Sequence, residues 1–199
     1  MITYYRIRRY LLTLFSTLIN KVIMILSGVC FGKGFKSCGK IFIRNYAGKN
    51  GIIIGNNVNF NSGIIANPIG GVEQLVLMTS STGHINIGNK VGMSNCILFS
   101  SSEIVIDDGV CIGAGTKIYD TDFHSVNPDY RLNGNINIPT KPVRIGKRAF
   151  IGSNVTILKG VTIGDEAVVG AGSVVTKDIP AHEIWAGNPV KFIKKVPND

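Results

Sequence analysis

The first 72 residues contain no aspartate or glutamate; the first acid is Glu73. The same stretch holds nine bases (Arg6, Arg8, Arg9, Lys21, Lys33, Lys36, Lys40, Arg44 and Lys49), so the net charge of +9 belongs to the N-terminal third. A nucleic-acid binder is one reading of such a block. The bases are not interleaved with stacking aromatics on a recognisable module, which argues against it. Cysteine is scarce, and Cys30, Cys38, Cys96 and Cys111 form no C-x-x-C pair and no zinc spacing. They read as reduced thiols of a cytoplasmic protein, with Cys96 and Cys111 as small apolar fillers. No G-x-x-x-x-G-K-[ST] occurs, which removes the P-loop from consideration.

What is present is a period. Ile145, Ile151, Ile157, Ile163, Val169 and Val175 stand six residues apart without a slip. Gly follows at 146, 152, 164 and 170, and Ala149, Val155, Val161, Ala167, Ser173 and Ile179 recur four places after the column. Six matches neither the 3.6 of an amphipathic helix nor the alternation of a hairpin meander. It is the signature of a parallel β-helix, in which each hexad is one short strand and a turn. Earlier hexads read as Ile54, Phe60, Ile87, Met93 and Phe99, with an inserted residue near 100–103 before Ile106, Ile112 and Ile118 resume. Two stretches, 66–83 and 119–142, leave the pattern; Pro128, Pro139 and Pro142 exclude ladder strand from the second.

Residues 10–31 are apolar with helical period. Leu11, Leu14/Phe15, Leu18/Ile19, Val22/Ile23 and Ile25/Leu26 make one stripe, and Thr13, Ser16/Thr17 and Asn20/Lys21 make another. Three readings stand: a helix lying in a membrane interface, a spanning helix, or a helix packing its apolar stripe on the β-helix or a partner subunit. Lys21 near the middle opposes spanning, at about 3 kcal/mol. The expected division is a helical segment over 1–40 and a β-helix domain over 41–199.

The run from Ile145 to Ala181, with V-V-T-K-D-I-P at 174–180 and A-G-N-P at 186–189, resembles the hexapeptide-repeat acyltransferases. The likeness is nearest to maltose and galactoside O-acetyltransferases and to acetyltransferases of capsule, colanic acid and O-antigen synthesis. It covers residues 85–195 well and 50–84 loosely. The resemblance implies an all-β, left-handed parallel β-helix, a homotrimer, and active sites between subunits that use acetyl-CoA.

Acyl transfer to a hydroxyl needs a base and donors for the oxyanion. His124 lies at the start of the proline-bearing excursion, and loops leaving a rigid scaffold are where function concentrates. The resembled family carries its catalytic His in the same place. Asp122 or Asp120 is near enough in sequence to orient the imidazole, and Asn127 and Tyr130 could reach an acceptor. His84 and His182 read as turn residues, and their spacing opposes a metal site. For the acyl donor, the resemblance implies contacts from Ser153, Ala171, Thr176 and Lys177, with Lys191 and Lys194 near the nucleotide phosphates. The expected function is therefore acetyl-CoA-dependent O-acetylation of a sugar or lipid-linked sugar in bacterial surface-polysaccharide synthesis, at the inner face of the membrane. The alternatives are N-acetylation of an amino sugar, acetylation of an antibiotic, or a non-catalytic β-helix scaffold.

Overall fold

The computed structural model describes residues 2–197. After a helix, α1 (Ile2–Leu26), the chain winds through six coils of a triangular prism. The first face stacks Cys30–Phe31, Ile52–Ile54, His84–Ile87, Glu103–Ile106, Val143–Ile145 and Thr162–Ile163. The second stacks Lys36–Cys38, Asn59–Asn61, Gly92–Ser94, Cys111–Ile112, Phe150–Ile151 and Val168–Val169, and the tail adds Glu183–Ala186 and Lys191–Lys195. The third stacks Phe42–Asn45, Val76–Thr79, Ile97–Ser100, Lys117–Tyr119, Thr156–Ile157 and Val174–Val175. Within the stacks the pairing is parallel; the last tail pair alone is antiparallel.

The six-residue column is the core. Ile106, Ile145 and Ile163 lie in register on the first face, and Ile112, Ile151 and Val169 on the second. All six column residues from Ile145 to Val175 have no exposed surface. Each such side chain contributes about 1.5–3 kcal/mol by leaving water. Gly152 shows why glycine follows the column. Its φ is not positive, but a Cβ there would stand 2.6 Å from the Ala171 amide nitrogen one coil on. The left-handed backbone falls two residues later, at Asn154 (φ 57°).

The register differs from the expected one at a single point. Leu98 points inward and Phe99 outward, because the step from Met93 is five residues. A one-residue slip turns a whole strand over, so Phe99 belongs to the outer surface of the third face. Cys111 is also turned out and exposed, whereas Cys96 is buried.

The β-helix also begins earlier than the expected boundary at residue 40. Its first strand is Cys30–Phe31, and Ser37 occupies a column position opposite Phe60. A polar residue there breaks the aliphatic signal. The reason lies in α1, whose polar stripe covers the open end of the prism. Thr17 Oγ1 accepts from Ser37 N (3.0 Å), and Ser16 Oγ accepts from Gly39 N (3.0 Å). The Asn20 amide donates to Ser37 Oγ (2.9 Å) and Gly39 O (2.8 Å) and accepts from Ile41 N (3.2 Å). A terminal coil leaves strand N–H and C=O groups unpaired, and this stripe satisfies those of Ser37, Gly39 and Ile41. Met24, with no exposed surface, fills the remaining gap. The helix therefore does pack on the β-helix, but through the stripe opposite to the one expected.

Candidate active site

Two excursions leave the prism. Residues 62–75 depart at the corner between the second and third faces, and residues 120–142 at the corner between the third and first. The first is shorter than the expected 66–83, because Val76–Thr79 is strand. It folds over the coil beneath, where Asn95 Nδ2 donates to Gly70 O at 3.1 Å.

The second excursion is rooted by Asp120. Its carboxylate is fully buried and accepts from Ser100 Oγ (2.7 Å), Ser101 N (2.7 Å) and Ser102 N (2.8 Å). Asp120 is thus held by the preceding coil's turn and has no free oxygen for the imidazole. Asp122 accepts instead from Lys159 Nζ at 2.7 Å, so its partner is the next coil. Thr121 pairs antiparallel with Thr140, and Asp122 N donates to Pro139 O at 3.1 Å, which makes the base of the excursion a hairpin.

His124 follows at the hairpin's outer edge, exposed. The residue before it, Phe123, has φ 62°, a conformation that costs a bulky residue energy and is held by its surroundings. Two observations show what holds it. Its ring packs on Phe99 (centroids 4.8 Å apart) and Tyr119 (5.1 Å). Asn135 then clamps the backbone, accepting from Ser125 N (3.0 Å) and donating to Phe123 O (3.0 Å). Both peptides flanking His124 are fixed, while its ring makes no hydrogen bond or ion pair among the described residues. Asn127 Oδ1 caps the short helix Pro128–Leu132, accepting from Asp129 N and Tyr130 N, so only its Nδ2 is left to meet an acceptor. Tyr130 on that helix is exposed.

The outer surface of the third face lies between the excursions, floored by Phe99 and Tyr119. Burial, followed by the charge of Glu73 on the first excursion, pushes the Tyr119 phenol up. Glu73 and Phe123, the residue before His124, thus approach one aromatic floor from its two sides. Sequence reasoning missed Phe99, Tyr119 and Asn135.

The residues expected to meet the acyl donor divide between two corners. Ser153 and Ala171 stack one coil apart where the second face turns into the third. Thr176 and Lys177 follow Val174–Val175 at the other corner, two coils beyond the His124 hairpin. Lys177 lies over the Trp185 ring at 5.0 Å, and Trp185 packs edge-on to Phe192. Lys191 and Lys194 are exposed on the last strand, and neither is in an ion pair among the described residues. One chain does not bring His124 and Ser153 to the same corner.

The remaining histidines have local partners. His182 Nδ1 is 3.4 Å from Glu166, and His84 heads a strand opposite Glu103. Among the described residues no group of three His, Cys, Asp or Glu could hold a metal ion.

With this geometry in view, comparison with known proteins is decisive for the fold. The hexapeptide repeat of succinyl-transferase matches residues 142–177. Over those residues the chain carries the hexapeptide repeat. A hexapeptide-repeat acetyltransferase of Vibrio cholerae O1 biovar eltor, crystallised with acetyl-CoA, superposes with a TM-score of 0.59 at 26% identity, covering 89% of this chain and 76% of that one. The coils are accordingly those of a left-handed β-helix. Galactoside O-acetyltransferase of Escherichia coli (strain K12) is 39% identical over 114 residues, 57% of this chain and 55% of that protein. An N-acyltransferase of Bacillus cereus, solved with a dTDP-amino sugar and coenzyme A, shares the fold at a TM-score of 0.68 and 23% identity, over 89% of each chain. The chain spans little more than half the length of the curated relatives it matches.

Proposed function

We propose that this chain is an acetyl-CoA-dependent O-acetyltransferase acting on a sugar hydroxyl, with His124 as general base. The observation carrying the reading is the presentation of His124: exposed, with both neighbouring peptides clamped, at the edge of an aromatic floor. A scaffold has no need of a histidine held in that way. The aromatic cluster of Phe99, Tyr119 and the partly exposed Phe123 suits the apolar face of a sugar ring, and Glu73 supplies an acceptor for its hydroxyls. The galactoside-acetylating relative supports a sugar as acceptor.

His124 takes the hydroxyl proton as the oxygen attacks the thioester carbonyl carbon. The carbon–sulfur bond then breaks, and the proton passes to the departing CoA thiolate. Backbone N–H groups beside Ser153 would stabilise the oxyanion between these steps. The exposed Ala171 corner admits the pantetheine arm. Lys177, Lys191 and Lys194 supply cations suited to the CoA phosphates. His124 and Ser153 lie at different corners, so a site using both is closed by a neighbouring copy, and the homotrimer expected of the resembled family provides that copy. We place the reaction in bacterial surface-polysaccharide synthesis.

The test is release of CoA thiol from acetyl-CoA over a panel of sugars, amino sugars and lipid-linked sugars, for wild type and His124→Ala. Release that requires a hydroxyl acceptor and falls by at least 10²-fold in the variant is expected. Release that survives the substitution removes His124 from the mechanism. Turnover confined to amines transfers the assignment to N-acetylation, and no release with any acceptor, together with no acetyl-CoA binding by calorimetry, returns the scaffold reading.

A further inference from the structure

Helix α1 is mounted with its polar stripe against the protein and its apolar stripe facing out. Ser16, Thr17 and Asn20 are bonded to the first coil. Leu11, Leu14, Phe15, Leu18, Val22 and Ile25 are 45–66% exposed. A surface helix of a globular protein turns the other way, with the apolar stripe to the core. Burial of this end of the prism therefore does not account for the leucines and isoleucines of the outer stripe.

A second apolar element stands on the same flank. Ile65 and Pro68 of the 62–75 excursion line a recess together with Tyr5, Arg8 and Leu12 of the helix. Ile69 and Val72 at the tip of that excursion are 96% and 77% exposed. The helix and the excursion thus offer apolar side chains side by side from two separate parts of the chain.

Charge identifies the occupant. Arg6, Arg8 and Arg9 are exposed at the amino end of the stripe, beside the exposed rings of Tyr4, Tyr5 and Tyr10. Residues 1–72 hold nine bases and no acid, and Glu73 on the excursion is the first acid beside them, so this end of the molecule carries a net positive charge. A second copy meeting the same end would bring like charge against like charge. An apolar stripe bordered by arginine and tyrosine fits an anionic lipid surface. The helix is long and apolar enough to cross a membrane. Crossing, however, would strip the Ser16, Thr17 and Asn20 bonds from the coil end and carry Lys21 into hydrocarbon.

We propose that α1 and the tip of the 62–75 excursion form a peripheral docking surface for an anionic bilayer, with the helix lying in the plane of the headgroups. This stands independently of the proposed acetyl transfer.

The test is flotation of the full-length protein with vesicles of phosphatidylcholine alone or with about a third phosphatidylglycerol, whose surface attracts basic segments. Leu14→Asp/Leu18→Asp changes the outward stripe, and Arg6→Ser/Arg8→Ser removes positive charge while leaving the hydrogen bond from Arg9 to Asn61 in place. Wild type is expected to float with the anionic vesicles at least tenfold better than with the neutral ones. The leucine variant should lose at least tenfold of that binding, and the arginine variant should lose the preference for anionic lipid. Wild type remaining unbound, or a leucine variant that binds as wild type does, overturns the proposal. So does a fall in solution mass on the leucine substitution, which would show the stripe closed by a second copy. Far-UV circular dichroism and thermal melts establish that each variant retains α1 and the β-helix.

Discussion

Asn135 reaches back across the excursion to Phe123, its amide donating to the Phe123 carbonyl at 3.0 Å while its own oxygen accepts from Ser125 N. The two bonds bracket His124. Asn135 is thus a positioning residue, acting through the backbone of its neighbour. Asn135→Ala should lower kcat for acetyl transfer by about 10–100-fold, as a misplacement of about 1 Å does, with KM for acetyl-CoA little changed. Asn135→Asp keeps the acceptor and loses the donor, so its kcat should fall between the two. Steady-state kinetics decide this. Equal loss in kcat and in melting temperature across the series would mean that Asn135 only stabilises the loop.

Asp122 and Lys159 meet at 2.7 Å with about a quarter of each side chain exposed. That geometry makes Asp122 a tie between the hairpin and the following coil. A double-mutant cycle with Asp122→Asn and Lys159→Met should give a coupling of about 1 kcal/mol in stability, at the upper end for partly exposed pairs. The kcat losses of the two single variants should match and should not add. If Asp122→Asn alone removes activity while Lys159→Met leaves it intact, the carboxylate serves the imidazole directly during turnover.

The repeat was legible where every inward position is aliphatic, from Ile145 to Val175. It was illegible where another interaction replaces burial. Ser37 occupies a column position because Asn20 bonds to it, so the first coil carries no hexad signal and looked like part of the helical segment. The five-residue step from Met93 to Leu98 was invisible because Phe99 next to it is equally apolar. That slip hid the floor of the site. The place of His124 could be read from the prolines around it, but its clamp could not, since Asn135 bonds only to backbone groups of Phe123 and Ser125. Periodicity in α1 reveals two stripes without saying which one meets the protein. Unpaired groups at the end of the coil made that choice.

The four thiols should separate by reactivity. Burial pushes the Cys96 thiol up to about 12, which leaves almost no thiolate at neutral pH. Cys38 is likewise buried, Cys30 is partly covered, and Cys111 is exposed on the outer surface of the second face. Titration with an aromatic disulfide reagent should modify Cys111 first and Cys30 more slowly. Cys38 and Cys96 should react only once denaturant opens the prism. A Cys111→Ser variant that keeps the fast phase would contradict the outward register of Cys111–Ile112.

Acid should loosen the corner between the first and second faces. Asp108 accepts from the Asn89 amide nitrogen at 2.6 Å and from its side chain at 3.1 Å, and the first of these bonds holds its carboxyl below the usual aspartate range. Glu166 is held below its usual range by the hydrogen bond from Arg148. For a depressed carboxyl the folded form binds its proton less readily than the unfolded chain does. The stabilisation is therefore fully present above the unfolded value of about 4 and disappears as pH falls through the folded one. Both groups are solvent-exposed, so each effect is small, and the seam acts through repetition along the corner. Calorimetric melting temperatures should decline from about pH 4 toward pH 3. Asp108→Asn retains an oxygen to accept from Asn89 and cannot titrate, so it should show a shallower decline. An unchanged acid slope in that variant would assign the loss to carboxylates elsewhere.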